Sequence, residues 1–469
     1  MKRFLLWGGG LVLILVVLGA AVAYAFVHTF YPTPPNAEFG KATTVSEAQR
    51  QDLEYFRHYI SLNRVYTPAE RAEAAAMLAA DEVDAGQMTP AQFELAVSRM
   101  VALSDNGHSE DHPFLFRSRH DSLPCLLYHF SDGYYIVRAR SACQPLLGAR
   151  LVAIDGHTID EVADGLFAYV RGPRNHFDQY AAPYLLESPA LLHAAGLANA
   201  PDGVTLRVQM PDGTLRDVMM SADPPDPKWP WWAWSDFYLS PLPVAGEGQD
   251  WKALLPSDAR LPDFLRDYGL PFRSQDWPDR GIYYFAIHFN VDFFGHSIGK
   301  FVDRVKHEIA AARPRVVVVD LRFDKGGDLT TTAGLMSRIT TLSPSIRHVY
   351  VLTSAWTFSA GITSAALAKA HGGDKVTIVG EPVGDGLRFW AEGRDMTLPN
   401  SHIQVHYATG MHDYSKPCWG ERGCFWVMHF YPMQVKTLTP DVTIPYSFSD
   451  YRALRDPLMD YVFRKAPER

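Results

Sequence analysis

The sequence predicts an α/β protein built on a parallel sheet, and three strings carry that prediction. VVVVDLRFDKGG from Val316, HVYVLTSAWTFSAG from His348 and KVTIVGE from Lys375 each begin with a short apolar, β-branched run and end in a loop holding glycine or a small hydroxyl residue. Ala-rich helical segments separate them. Buried parallel strands joined by crossover helices read this way. In such sheets chemistry gathers where loops leave the carboxyl ends of the strands. Those loops carry the pair Gly326-Gly327 and, at a helix start, Ser359.

The elements follow in chain order. Lys2 and Arg3 precede an uncharged, mostly apolar stretch over residues 4–27. It is longer than the roughly 7–15 apolar residues of a cleavable signal and long enough to cross a bilayer as a helix. The flanking charges put the N-terminus in the cytoplasm and the remainder outside. Ala23-Tyr24-Ala25 also resembles a processing site, so secretion after cleavage is the alternative. Residues 1–36 are thus read as anchor and Pro-rich linker.

Residues 40–122 begin with a helical unit. Ser46 with Gln49, Thr67 with Glu70 and Thr89 with Gln92 form the pattern of capping boxes, and Pro68 and Pro90 fit the first helical position. Phe93, Ala96, Val97, Met100 and Val101 give the third helix one buried face. A loop with Asn106-Gly107-His108 ends the unit. Residues 123–220 read as β-rich, with strands at 125–130, 134–138, 150–154 and a closing hairpin whose turn is Asp212-Gly213. Residues 157–200 read as helical or irregular. Residues 221–280, rich in Pro and Trp (Trp229, Trp231, Trp232, Trp234, Trp251, Trp277), show no period and read as a long ordered insertion. Residues 281–469 form the α/β unit, with one more helix expected at 450–465.

Composition narrows the function. The chain has 469 residues, 47% of them hydrophobic, and a net charge of −8. No basic block is present, so nucleic acid is not an expected partner. The 18 histidines are scattered, and no CxxC pair occurs, so neither a metal nor another cofactor is expected. Four cysteines allow three pairings. Proximity favours Cys125 with Cys143 and Cys418 with Cys424, as suits an exported chain; four free buried thiols are the alternative.

Ser359 opens the helix after the strand at 348–353. Free N–H groups and the positive dipole end lie beside a residue so placed, which suits an attacking hydroxyl whose developing oxyanion needs ready donors. The same position suits an ordinary helix cap. Gly326 and Ala360 are the expected oxyanion donors through their N–H groups. A serine needs a base, and His108, in its Gly-containing loop, is the candidate.

At these residues the sequence resembles the tail-specific (C-terminal-processing) and tricorn-core serine peptidase family. Leu103-Ser104-Asp105-Asn106-Gly107-His108-Ser109 resembles its His-containing loop with one extra residue. Asp320-Leu321-Arg322-Phe323-Asp324-Lys325-Gly326-Gly327 resembles its Gly-Gly loop, and Thr357-Phe358-Ser359-Ala360 its nucleophile turn. Val379-Gly380-Glu381-Pro382 and Leu438-Thr439-Pro440-Asp441 resemble its later signatures. The resemblance covers roughly residues 90–460.

It implies a crotonase/Clp-protease-like ββα core with an N-terminal helical unit and a PDZ-like β module, the latter carried by residues 147–156. It also implies a peptide or protein substrate. One branch of the family uses a lysine after the serine; here that place reads Gly384-Asp385-Gly386, so the Ser–His branch is the nearer one. Its late carboxylate falls near Gln434, which cannot serve. Asp413, Glu392 and Asp385 are the alternative orienting carboxylates, with Asp413 the first choice from its distance along the chain. The reading is a serine-type hydrolase, most simply an endopeptidase, on the extracytoplasmic side. A non-catalytic peptide-binding protein on the same fold and an esterase using the same serine are the alternatives.

Overall fold

The structure is a computed structural model and describes residues 2–229, 234–243, 247–248 and 250–466. Trp231 and Trp232 of the insertion lie outside the described residues.

The three strings form neighbouring parallel strands. The six-stranded sheet runs Val442–Thr443, Val376–Gly380, His348–Thr353, Val316–Asp320, Ile282–Ile287, Phe272–Trp277. All pairs are parallel except the last, which is antiparallel. Strand Val316–Asp320 is buried on both faces, and its alternation assigns the two cores. Val317 and Val319 point to helices Ile298–Ala312, Thr330–Met336 and Ala360–Gly372. Val316 and Val318 point to the C-terminal helix Pro457–Lys465 through Leu458, Met459 and Val462. The edge strand Phe272–Trp277 falls inside the insertion read as aperiodic. Arg273, Gln275 and Asp276 give it an edge composition that hides it among polar loop residues.

A second sheet, antiparallel, contains Cys125–Phe130, Gly133–Ala139, Arg150–Ile154, Gly203–Gln209 and Leu215–Ser221 in that order. Short helices, among them Ile159–Leu166 and Arg174–Tyr180, fill residues 159–194. Cys125 and Cys143 sit at bonding distance with Cα atoms 5.8 Å apart, and Cys418 and Cys424 with Cα atoms 5.6 Å apart.

Helices Val45–Leu62, Pro68–Val83 and Pro90–Ala102 form the helical unit. The boxes at Thr67–Glu70 and Thr89–Gln92 are present. The one expected at Ser46 is not. Thr44 is the cap, accepting from the Glu47 N–H. Ser46 instead donates to the Ala85 carbonyl, and Gln49 bonds Met88 and Gly86, tying this helix to the turn between the next two. Two overlapping cap patterns compete here, and the buried Gln49 is claimed by tertiary partners. The unit packs Phe93, Val97, Met100 and Val101 against the hairpin Arg394–Thr397/Gln404–Tyr407, which fixes the loop carrying His108 against the core.

The terminal helix is two, Phe448–Arg452 and Pro457–Lys465. Leu454 takes φ +54°, and Asp456 caps a fresh start at Pro457 by accepting from the Leu458 and Met459 N–H groups. Proline at that position starts a helix more readily than it continues one.

The N-terminal helix Lys2–Phe30 contains an 18-residue window, Leu13–Phe30, of mean hydropathy 2.2 that is long and apolar enough to cross a membrane. Its last residue is held by the core. Phe30 is fully buried among Phe425 and its neighbours, and its carbonyl accepts from the Gly393 N–H (3.0 Å) and the Thr409 hydroxyl (2.5 Å).

Candidate active site

Strand His348–Thr353 delivers the chain into a turn fixed from below. The Thr357 hydroxyl donates to the Leu321 carbonyl (2.7 Å) and the Phe358 N–H to the Asp324 carbonyl (2.8 Å). The next residue, Ser359, is held at φ +52°, ψ −121° before helix Ala360–Gly372. L-residues rarely adopt this conformation; a sparsely populated backbone of this kind costs on the order of 1–3 kcal/mol and persists only where its surroundings impose it. The ordinary reading of Ser359 as a helix cap fails. Its dihedrals are not those of a cap, and its side chain makes no cap hydrogen bond.

The Gly-Gly loop lies directly against this turn. Gly326 has φ +93°, and a Cβ built on it would stand 2.5 Å from Ser359 Cβ and 2.9 Å from the Ala360 nitrogen. Only glycine fits. The expected oxyanion role of the Gly326 N–H meets an obstacle, because that group donates to Asp324 Oδ1 at 3.0 Å. Among the described residues, the N–H groups of Gly327 and Ala360 have no acceptor. Burial pushes the Asp324 carboxyl up to about 8.

The loop is pinned at Lys325, which is buried, ion-pairs with Asp236 and lies within 5.5 Å of the ring centres of Trp234, Phe237, Phe289 and Trp356. Arg322 makes two 3.0 Å bonds to Asp456 and one to Asp320, tying the same loop to the C-terminal helix. The Asp-Leu-Arg-Phe-Asp-Lys-Gly-Gly string thus positions two glycines with two buried cations.

His108 reaches this region from the helical unit. Its ring stacks on Phe358, the residue before Ser359, with centres 4.3 Å apart, and on Phe389 at 5.2 Å. Its nearest carboxylate is Asp385, with Nδ1 and Oδ2 3.9 Å apart. Both ring nitrogens of His108 and Asp385 Oδ2 are buried without a hydrogen-bond partner. Burial drives the imidazole well below its ordinary value, and burial, with Asp105 adding to it, pushes Asp385 up to about 7. Near neutrality His108 is therefore an uncharged ring beside a half-protonated acid.

The three carboxylates weighed from sequence separate clearly. Asp385 faces His108. Asp413 does not: it accepts from the Ser415 N–H and hydroxyl and the Lys416 N–H, closing its own loop. Glu392 accepts from Tyr31 and pairs with His412 (3.1 Å). Distance along the chain favoured Asp413, but Asp385 follows strand Val376–Gly380 and so shares the carboxyl end of the sheet with Ser359.

Sequence reasoning missed His176. It stacks on the other face of Phe358 (4.1 Å, 3°) and bonds the Ala355 carbonyl through Nδ1 (3.1 Å), an acceptor that requires the Nδ1–H tautomer. Gly384 is small enough to admit it: a Cβ there would stand 2.9 Å from His176 Nδ1. Nothing in the local string around His176 signals this.

A serine on a strained strand-to-helix turn, a glycine loop against it and a buried His–carboxylate pair nearby define a hydrolase-type arrangement on an α/β core. No protein-family model matches the sequence, and no curated protein matches it. Solved structures do. Mature CPAF complexed with lactacystin aligns at TM-score 0.54 and 14% identity, covering 90% of this chain and 98% of that one. A CPAF point mutant aligns at TM-score 0.55 and 12% identity, covering 89% and 96%. The photosystem II D1 C-terminal processing protease covers 85% of this chain and 93% of its own at 10% identity and TM-score 0.39. The chain has the fold of the CPAF structures.

Proposed function

We propose that the chain is an extracytoplasmic serine peptidase held to the membrane by helix Lys2–Phe30, with Ser359 as nucleophile. The observation that carries this reading is the imposed backbone of Ser359 against Gly326. His108 takes the Ser359 proton and returns it to the leaving amine, and Asp385 orients the ring. The Ala360 N–H is one oxyanion donor. The bond from Gly326 to Asp324 shifts the second role to the neighbouring Gly327 N–H. The unpartnered nitrogens of His108 are accounted for if substrate completes the network, since catalytic hydrogen bonds often tighten only in the bound complex. The antiparallel sheet serves as the PDZ-like module, taking an extended peptide along an edge. The six-stranded sheet is the crotonase/Clp-like core.

The orphaned His108 and Asp385 also favour a second reading, a peptide-binding protein in which the dyad is idle. A fluorophosphonate probe separates the two. Labelling of Ser359 that disappears in Ser359→Ala and drops in His108→Ala supports the peptidase; an intact protein that takes no label supports the binder. Peptide and ester substrates compared side by side distinguish a peptidase from an esterase.

A further inference from the structure

The segment that runs from the Cys418–Cys424 loop to Phe430 carries aromatic rings that stay open to solvent. Trp419 is 70% exposed, Phe430 79% and Trp426 37%. Large apolar rings so exposed within a dozen residues mark a contact surface.

The same segment sits against the end of the N-terminal helix. Phe26 lies 5.8 Å from Phe425 and 6.0 Å from Trp426, and Phe30 lies 5.0 Å and 5.4 Å from the same two rings. A hydrocarbon core of about 30 Å takes about 20 helical residues at 1.5 Å each. Counted from Phe4, just after Lys2 and Arg3, such a span ends near Ala23. Phe26 then stands only a few Å beyond it, in the headgroup layer, and Trp426 shares that depth. Amphipathic rings with one polar edge concentrate at this level.

We infer that segment 418–430, the Cys418–Cys424 loop and the short helix after it, is a second membrane contact, with Trp419, Trp426 and Phe430 seated in the lipid interface beside the anchor. The occupant is a bilayer surface, and its headgroup charge is secondary. Glu421 pairs with Lys416 and with Arg388 of the neighbouring strand, each at 2.9 Å, which leaves Arg422 as the loop's one exposed cation among the described residues. The inference rests on the proposed retention of helix Lys2–Phe30 as an anchor.

The test uses the full chain in phosphatidylcholine vesicles with brominated acyl chains, which quench tryptophan at short range. The chain has 11 tryptophans. Trp419→Phe and Trp426→Phe should each lower the quenched part of the emission by roughly one tryptophan's share. Trp277→Phe, half-buried on the edge strand against Phe463, should leave it unchanged. Equal quenching in the wild type and both loop variants overturns the inference. Alkaline carbonate extraction of the same vesicles reports the anchor separately, so a released chain with unchanged loop quenching and a retained chain with no loop quenching point to different failures.

Discussion

Asp385 and the two histidines around Phe358 give the site predictions that can be read one side chain at a time. His108 and His176 contact opposite faces of Phe358, yet only His108 lies beside a carboxylate. If His108 is the base, His108→Ala lowers Ser359 labelling at least about 10²-fold, the usual scale of general-base loss, and His176→Ala lowers it far less. The reverse order assigns the base to His176. Asp385 adds a pH signature. Its carboxyl is raised to about 7 from an ordinary 3.8, so between those values the folded state binds more protons than the unfolded one. Stability contributed by the buried acid is present below pH 4 and is lost as pH rises towards 7. Asp385→Asn should therefore raise the melting temperature at pH 8 relative to the wild type and change it little at pH 4, while labelling at pH 8 falls. A melting temperature lowered equally at both pH values would show that burial does not raise the Asp385 carboxyl. His108 and Asp385 were both candidates along the chain, Asp385 behind Asp413, but their pairing was not legible, because the ring stack draws on residues from four separate segments.

At the scale of elements, the sequence was most legible where a pattern is local and periodic. The strands at 316, 348 and 376, the two capping boxes with proline after them and the hairpin at Asp212-Gly213 fall where the alternation and turn residues put them. Failures came where tertiary partners outbid a local signal, as with Gln49, or where an edge strand wore loop composition, as with Phe272–Trp277. The Gly-Gly loop lies between these cases: its glycines were visible, but the contact that demands them was not. Gly326→Ala tests that contact. Its φ of +93° and the 2.5 Å approach to Ser359 act together, so the variant should lose on the order of 1–3 kcal/mol of stability and displace the serine turn, and labelling should fall with it. Gly213→Ala is the control, since Gly213 has φ +86° and nothing within 4 Å of a built Cβ. It should cost stability through the backbone alone and leave labelling intact. Equal labelling in the two variants would separate the glycine loop from the site.

For the whole molecule, the decisive feature is that the N-terminal segment is built into the core beside the candidate site. A cleft of about 430 Å³ is bounded on one side by Gly327 and Asp328 of the glycine loop and on the other by Phe26, Tyr31 and Glu392. Tyr31 donates to Glu392, the Tyr407 hydroxyl to the Pro32 carbonyl and the Arg394 side chain to the Tyr31 carbonyl (3.0 Å). The segment that follows helix Lys2–Phe30 is therefore one wall of the cleft, and with that helix anchored as proposed the cleft stands within a few residues of the bilayer. A catalytic core so held should prefer chains that are themselves at the membrane surface, because tethering both partners to one bilayer raises their effective concentration. The gain expected from such linkage is of order 10²–10⁴ when the geometry permits engagement. One peptide substrate, presented to the full chain in vesicles either free or on a lipid anchor with a short spacer, should be cleaved faster in the anchored form by at least about tenfold. Dissolving the vesicles in detergent should abolish the advantage, because it removes the shared surface without touching the cleft. Lengthening the spacer should lower the rate if the cleft faces the bilayer closely. Equal rates for free and anchored peptide in vesicles would mean that the cleft opens away from the membrane, whatever holds the helix there.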